Sequence, residues 1–284
     1  MGDTVSSVRP TVVLRGAGLA LGGRPLWQHL DLTVAPGEFV AVLGPNGSGK
    51  TSLIKVLLGL IPLSSGSVQV SGVPPRRGSS DIGYIPQQKS FDRDLPIRGI
   101  DLVRLGLDGH RWGIGLPSRR RRRRVEEAIA SVGAAGFARF PIGNLSGGEQ
   151  QRLRVAQALV GNPQLLLCDE PLLSLDLKHQ REVVELISDQ RRASAISVLF
   201  VTHEINPIMS VVDRVVYLVG TRWAVGTPAE IFTSARLSEL YQTAVEVLDV
   251  GGRIVVVGAP DSPHAEAGSS HYHHPLGQEV VIVR

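Results

Sequence analysis

The pattern of apolar and polar positions along the chain predicts strands that alternate with helices. Predominantly apolar runs at residues 38–43, 164–168 and 197–201 are typical of strands that are buried on both faces of a parallel sheet. Helical patterns follow the first two runs, at residues 52–58 and 181–188. Strands and helices that alternate in this way predict an α/β core with a parallel sheet.

A smaller antiparallel sheet is predicted from shorter patterns on either side of the first apolar run. Short strands are expected at residues 12–14, 30–34 and 68–72. Glycines within residues 14–19 and 21–24 predict turns around the first two of these strands. The fold therefore combines an α/β core with an N-terminal antiparallel β subdomain.

An interrupted helical pattern between residues 91 and 140 predicts an inserted α-helical subdomain, which a further helix extends to about residue 160. After the last buried strand we expect a hairpin, at residues 214–219 and 223–226, and then one helix over residues 228–240. Two short strands are expected within residues 245–257. We therefore assign residues 1–240 to one domain, with its helical subdomain at about residues 91–160, and residues 241–284 to a small C-terminal β extension.

One stretch specifies the chemistry of the core. It follows an apolar strand, precedes a helix, and consists of Gly44, Pro45, Asn46, Gly47, Ser48, Gly49, Lys50 and Thr51. The glycines let the backbone turn with its N–H groups pointing inward, where these and the positive end of the helix bind nucleotide phosphates. Lys50 is expected to reach the β- and γ-phosphates, and the Thr51 hydroxyl to bind Mg²⁺. A glycine turn without a ligand is the alternative, and it leaves the register of Lys50 and Thr51 unexplained.

A pair of carboxylates, Asp169 and Glu170, ends the second buried strand. Asp169 is placed to hold Mg²⁺ beside Thr51. Glu170 points in a different direction, towards the γ-phosphate, where a carboxylate can activate an attacking water as general base. Helix capping or a surface turn is the simpler interpretation of such a pair.

A second anion-binding arrangement is predicted at Ser146, Gly147, Gly148 and Glu149, which open a helix with exposed N–H groups. With Leu145 and Gln150, this stretch resembles the signature motif of ATP-binding cassette ATPases at every position. In that family the signature motif of one subunit contacts the γ-phosphate held by the other. The resemblance therefore implies a head-to-tail dimer of two copies of the chain with two ATP molecules between them.

Other positions resemble the same family one at a time, over about residues 12–240. Gln87 matches the glutamine that touches Mg²⁺ and the attacking water, and His203 matches the histidine that contacts the γ-phosphate. Residues 174–176 match the loop that crosses the dimer interface. One position departs from the family: Leu21 stands where an aromatic residue usually stacks on adenine, and the nearby Trp27 is either its substitute or a core residue.

Composition limits where such a protein can act. The single cysteine, Cys168, excludes an intrachain disulfide and favours a reducing compartment. No apolar run reaches the length of about 18 residues that a membrane-spanning helix needs, and no secretory signal is expected at the N-terminus.

The chain is mildly basic, and much of its excess positive charge lies at residues 119–124. That run is either a solvated face or a contact with anionic lipid headgroups, whereas nucleic-acid binding is less favoured because no aromatic platform accompanies it.

The resemblance implies an ATPase subunit that has no membrane-spanning helices of its own and works with separate membrane subunits. It would hydrolyse ATP with Mg²⁺ at the cytoplasmic face of the cell membrane, bind integral membrane permease subunits, and serve an extracytoplasmic substrate-binding protein indirectly. No nucleic-acid partner is expected. Residues 91–98 and 101–106 resemble both zinc/manganese-type and iron-chelate importers, whereas residues 203–208 and 213–217 resemble the zinc/manganese type more closely. An iron-chelate importer, another importer and a non-transporting assembly ATPase remain as alternatives.

The C-terminal tail is polar over residues 260–275 and is predicted to be mobile, and residues 279–283 could add a strand. It carries four of the histidines, at positions 264, 271, 273 and 274. Clustered imidazoles bind zinc and related cations, so a metal-binding tail stands beside the simpler interpretation of a polar, disordered one.

Overall fold

A computed structural model describes residues 9–87, 91, 95–108 and 118–258 of the chain. Within these residues a six-stranded sheet has the order β5-β6-β7-β3-β8-β9. Its strands are β3 (Phe39–Leu43), β5 (Ile82–Ile85), β6 (Leu165–Asp169), β7 (Ser197–Val201), β8 (Arg214–Val219) and β9 (Arg222–Gly226). Neighbouring strands are parallel except for the hairpin of β8 and β9. The predicted α/β fold is confirmed.

Both faces of the parallel sheet are buried, which explains why its strands are continuously apolar. Successive side chains of a strand point to opposite faces. Phe39, Ala41 and Leu43 of β3 join one hydrophobic cluster, whereas Val40 and Val42 join a second cluster on the other face. The first cluster includes residues of helices that lie after residue 98, and the second includes residues of the N-terminal sheet and of the helix at residues 50–57.

The N-terminal sheet is antiparallel, with the order β2-β1-β4. Its strands are β1 (Val12–Leu21), β2 (Arg24–Val34) and β4 (Ser65–Val70). The turn at residues 21–24 is confirmed, but the turn predicted over residues 14–19 is wrong. There β1 continues through irregularities in its pairing, because Gly16 takes a φ of 52° and Gly18 leaves room for the Ser65 hydroxyl.

Seven α-helices are present in the described residues. They are α1 (Lys50–Leu57), α2 (Gly99–Asp108), α3 (Arg119–Ser131), α4 (Gly147–Leu159), α5 (Leu177–Ser194), α6 (Pro228–Ile231) and α7 (Ser234–Tyr241). Helices α2, α3 and α4 pack on one another in the part of the chain where a helical subdomain is expected. None of the helices in these residues combines the length and apolar content that crossing a bilayer demands.

Local hydrogen bonds set helix ends that periodicity did not locate. Helix α5 is longer than the predicted 181–188, because the Asp176 carboxylate caps it by accepting a hydrogen bond from the His179 N–H. The single helix predicted over residues 228–240 is wrong. Thr233 accepts a hydrogen bond from the Arg236 N–H and starts a new helix, so α6 and α7 are separate.

The C-terminal hairpin is confirmed as β10 (Glu246–Val250) and β11 (Arg253–Val257). Asn206 fixes it to the core, since its side chain donates to the carbonyl of Ile254 and accepts from the N–H of the same residue. The polar segment, the tail histidines and the strand considered at residues 279–283 lie outside the described residues. The division at residue 240 stays a prediction.

Candidate active site

The glycine loop between β3 and α1 has the backbone that its sequence predicts. Gly44, Gly47 and Gly49 have φ angles of 141°, 79° and 93°. A Cβ atom on Gly44 would lie 2.0 Å from the carbonyl oxygen of Leu218, so only glycine fits there without movement of β8. Helix α1 begins at Lys50, which directs its first N–H groups towards the loop.

The Lys50 side chain closes over this loop. Its Nζ donates to the carbonyl oxygens of Gly44, at 2.7 Å, and Pro45, at 3.0 Å. Burial lowers the pKa of Lys50, while the charges of Glu170 and Asp169 oppose that shift. The ammonium is thus held at the loop by oxygen atoms, near two carboxylates.

Thr51 and Asp169 come together although 118 positions separate them. The Thr51 hydroxyl donates to Asp169 Oδ1 at 3.1 Å, and Asp169 is almost completely buried at the end of β6. Burial raises the pKa of this carboxyl, and the hydrogen bond from Thr51 opposes the rise. A buried carboxylate beside a hydroxyl offers hard oxygen ligands of the kind that Mg²⁺ takes.

Glu170, Gln87 and His203 also meet, because β5, β6 and β7 are neighbours and each of these residues follows one of them. Gln87 Nε2 donates to Glu170 Oε2 at 3.0 Å, and His203 Nδ1 lies 3.9 Å from the same oxygen. Glu170 takes a φ of 47°, a left-handed conformation that is uncommon for a residue with a side chain. Such strain concentrates at functional sites, so the backbone supports a special role for Glu170.

The residues expected to form the second anion site lie at the start of α4. Ser146 caps the helix, and Glu149 donates its backbone N–H to Ser146 Oγ while accepting from the Ser146 N–H at 2.8 Å. Among the described residues, no hydrogen bond or ion pair joins residues 146–149 to the glycine loop. The structure thus brings the glycine loop and the expected residues at the strand ends together. It leaves residues 146–149 as a separate group.

Leu175, which belongs to the predicted interface loop, and His179, which the sequence did not single out, cover this separate group. A Cβ atom on Gly148 would lie 2.5 Å from His179 Cδ2, and one on Gly147 would lie 3.5 Å from Leu175 Cδ2. His179 Nδ1 is in turn 2.8 Å from Asp176 Oδ2. The start of α4 is therefore packed against the loop before α5. No local pattern could have indicated this contact, since it joins two helices.

The structure also separates Leu21 from Trp27. Leu21 lies at the hairpin turn with 45% of its surface exposed. Trp27 is completely buried, and a Cβ atom on Gly49 would lie 2.8 Å from its Nε1 atom. Trp27 is therefore a core residue that packs beneath the glycine loop.

Tyr84 is a further residue near the site that sequence reasoning missed. Burial, together with the charge of Asp169, raises the pKa of Tyr84 to about 12. Its position on β5, the strand next to β6, brings it near the carboxylate, and only the strand order reveals this.

Known proteins resemble this chain over most of its length. The ABC transporter family profile matches residues 27–173. The zinc transport system ATP-binding protein TroB of Treponema pallidum is 32% identical over 250 residues, 88% of this chain and 90% of that protein. The manganese transport system ATP-binding protein MntB of Bacillus subtilis is 33% identical, covering 81% of this chain and 92% of that protein.

Two further comparisons broaden this result. The hemin import ATP-binding protein HmuV of Streptomyces coelicolor is 37% identical, over 84% of this chain and 86% of that protein. A solved structure of a metal-chelate type ABC transporter in an inward-facing conformation superposes with a TM-score of 0.74. The superposition covers 87% of this chain and 96% of the chain in that structure, at 24% sequence identity, and it supports the assignment of the fold. The chain belongs to the ABC transporter family, as one of its ATP-hydrolysing subunits.

Proposed function

We propose that the chain is the ATP-hydrolysing subunit of an importer of divalent metal ions, zinc or manganese, held peripherally at the cytoplasmic face of the cell membrane. The meeting of Gln87 and His203 at the Glu170 carboxylate is the observation that carries the catalytic part. Glu170 is the general base for water that attacks the γ-phosphate. Gln87 and His203 orient this carboxylate, Gln87 touches Mg²⁺ and the attacking water, and His203 contacts the γ-phosphate.

Residues 44–51 are the proposed binding site for the ATP phosphates. Lys50 would exchange its bonds to loop carbonyls for phosphate oxygens, because its burial leaves the ammonium in need of a strong acceptor. Thr51, Asp169 and Gln87 are the residues that would hold Mg²⁺. When bound, Mg²⁺ neutralises charge on the β- and γ-phosphates.

The proposed catalytic site is completed by a second copy of the chain. Ser146, Gly147, Gly148 and Glu149 form a helix start at which the capping box uses the N–H groups of Ser146 and Glu149 and leaves those of Gly147 and Gly148 for an anion. They lie apart from the glycine loop of their own subunit, so in a head-to-tail dimer they serve the γ-phosphate of the partner. ATP binding then closes the dimer, and hydrolysis reopens it.

A groove beside Gln87 suits the membrane permease. It has a volume of about 640 Å³, and its lining includes Tyr84, Pro86, Phe91, Leu102 and Leu105. Leu105 is 51% exposed, so the groove offers apolar surface to a partner segment. Because the groove adjoins Gln87, closure around ATP would reach the permease directly. The substrate-binding protein would act only through the permease, and no nucleic acid takes part.

The zinc and manganese relatives support the proposed substrates. Import of hemin or another iron chelate is the second candidate, and the hemin relative favours it.

A deletion strain separates the two candidates, with growth measured under zinc, manganese and iron limitation. We expect a defect that zinc or manganese relieves and that the wild-type gene complements, whereas a Glu170→Gln gene does not. A defect specific to iron or hemin would replace the metal-ion proposal with the second candidate. Recovery of the chain only in soluble complexes would contradict both.

A further inference from the structure

Helix α3 concentrates the positive charge of the protein. It contains six consecutive arginines, from Arg119 to Arg124, and only two glutamates, so its formal charge is +4. The formal charge of the whole chain is also +4. The acidic and basic residues outside α3 therefore balance, and the excess belongs to this one helix.

The stability of α3 does not account for these arginines. Its first turn has no acidic residue, and Ser118 makes no side-chain cap. Cations at a helix start oppose the macrodipole, and arginines four positions apart repel one another. The expected pairs Arg122–Glu126, at 2.9 Å, and Arg123–Glu127, at 2.7 Å, are confirmed. Arg119, Arg120 and Arg124 make no ion pair with another residue that the structure describes.

Three of the arginines converge on one concave surface. Arg120, Arg123 and Arg124 line a shallow depression of about 440 Å³ together with Glu127 and Asn162. A guanidinium is a planar set of donors that suits phosphate oxygens. We define Arg119, Arg120, Arg123 and Arg124 as the arginine surface, which is open to solvent over most of its extent.

The arginine surface lies next to the groove proposed for the permease. Arg124 lines that groove as well as the depression, beside Tyr84 and Pro86. If the permease occupies the groove, the start of α3 lies beside a protein embedded in the membrane. This step rests on the proposed function.

We propose that the arginine surface binds the phosphate groups of anionic phospholipids next to the permease. Several arginines spread along a helix match a plane of many phosphates better than they match one soluble anion. Nucleic acid fits less well, because the described part of α3 offers no aromatic side chain for base stacking. For Arg119, Arg120 and Arg124, the lipid contact supplies a counter-charge that the residues described by the structure do not.

Vesicle binding by the whole chain tests this proposal without the permease. The wild type is sedimented with vesicles of phosphatidylcholine alone and of phosphatidylcholine mixed with phosphatidylglycerol. The variant R119Q/R120Q/R123Q removes three charges from the arginine surface and leaves Arg124, which also lines the permease groove, unchanged. The control variant R192Q/R222Q/R253Q removes three charges from exposed positions elsewhere. ATP hydrolysis in solution is measured for all three proteins.

We expect the wild type and the control to bind the anionic vesicles, with binding that weakens as salt is added. The α3 variant should lose about a hundredfold in partition coefficient, because each charge contributes roughly a fivefold effect near an anionic surface. Its ATP hydrolysis should be unchanged, which separates this proposal from the proposed function.

Four results would overturn the lipid proposal. Equal losses in the two variants would show a nonspecific charge effect, and equal binding to both kinds of vesicle would remove the role of anionic headgroups. Displacement of the protein from vesicles by inorganic phosphate, at an ionic strength matched with chloride, would identify a site for soluble phosphate. Random-sequence duplex DNA that binds through the arginine surface more tightly than the vesicles do would identify a nucleic-acid site.

Discussion

Asp169 and Glu170 are consecutive carboxylates with different surroundings. Asp169 ends β6 and is almost completely buried against Thr51. Glu170 turns through a left-handed conformation and meets Gln87 and His203. The separate roles proposed for them follow from this change of direction, since one side chain faces the start of α1 and the other faces the ends of the neighbouring strands.

Replacing Glu170 by glutamine should separate ATP binding from ATP hydrolysis. The amide keeps the size of the side chain but cannot accept a proton, so we expect kcat to fall by about 10²- to 10⁴-fold. ATP affinity should stay close to that of the wild type. Phosphate release and nucleotide binding measure the two effects, with the exposed Glu185→Gln as control. Hydrolysis at the wild-type rate would exclude Glu170 as the general base.

Replacing Asp169 by asparagine should stabilise the protein without nucleotide while it weakens Mg²⁺-dependent ATP binding. Burial raises the pKa of Asp169, so at neutral pH the native state bears the cost of an ionised buried carboxylate. Removal of this cost should raise the Tm of the protein without nucleotide.

The gain should disappear as pH falls through the raised pKa of Asp169, because the wild-type carboxyl is then neutral too. Thermal unfolding at several pH values measures this, with Asp249→Asn as an exposed control. A variant that is less stable than the wild type at neutral pH would contradict the prediction.

At the scale of elements, close contacts hold the functional loops in place. Trp27 of β2 packs beneath Gly49, and His179 of α5 packs against Gly148 of α4. Each contact joins a segment that carries a motif to one that does not. The motif residues alone therefore do not define the geometry of either loop.

The contact between α4 and α5 predicts that alanine at Gly148 and alanine at Gly147 change the stability of the protein by different amounts. Gly148→Ala should lose about 1–3 kcal/mol of unfolding free energy, because the new methyl group overlaps the His179 ring. The methyl group of Gly147→Ala would lie at an ordinary contact distance from Leu175, so this substitution should change stability much less. Adding His179→Ser to Gly148→Ala should restore part of the loss in chemical unfolding. Strictly additive effects of the two substitutions would contradict a direct clash.

Trp27→Leu should affect both stability and nucleotide binding. The substitution leaves a cavity under the glycine loop and should cost about 1–3 kcal/mol of unfolding free energy. Looser support of Gly49 should also weaken ATP binding. Trp223→Leu is the control, since Trp223 is only partly buried at the edge strand β9. Equal effects on ATP affinity in both variants would show that Trp27 has no special relation to the loop.

At the scale of the whole molecule, two sets of functional residues lie in separate groups. Lys50, Thr51, Asp169 and Glu170 gather around the ends of β3 and β6. Residues 146–149 start a helix that packs elsewhere, against α5. A dimer in which the two groups face each other would use both.

Mixed dimers test whether the catalytic sites are shared between subunits. A subunit with Lys50→Ala and a subunit with Ser146→Arg should each be inactive alone. When the two are mixed, one of the two shared sites contains no substitution, so about half of the mixed dimers' sites should hydrolyse ATP. Hydrolysis by separately tagged mixtures measures this. No recovery of activity, in a mixture shown by pull-down to contain mixed dimers, would contradict shared sites.

Local patterns in the sequence determined the type of fold and the phosphate chemistry. The apolar runs predicted the buried strands because a strand covered on both faces needs apolar side chains throughout. The glycine loop was recognisable because Gly44, Gly47 and Gly49 need backbone angles that other residues rarely adopt. The helix start at residues 146–149 was likewise predicted from neighbours in sequence.

The tertiary structure alone decided which of these residues meet. The order of β5, β6 and β7 brings Gln87 and His203 to Glu170, and no local pattern encodes the order of strands in a sheet. The continuation of β1 through Gly16, the position of Trp27 beneath Gly49 and the packing of His179 on Gly148 likewise depend on residues distant in sequence. Periodicity reports which face of an element is buried, whereas the partner of that face is chosen when the whole chain packs.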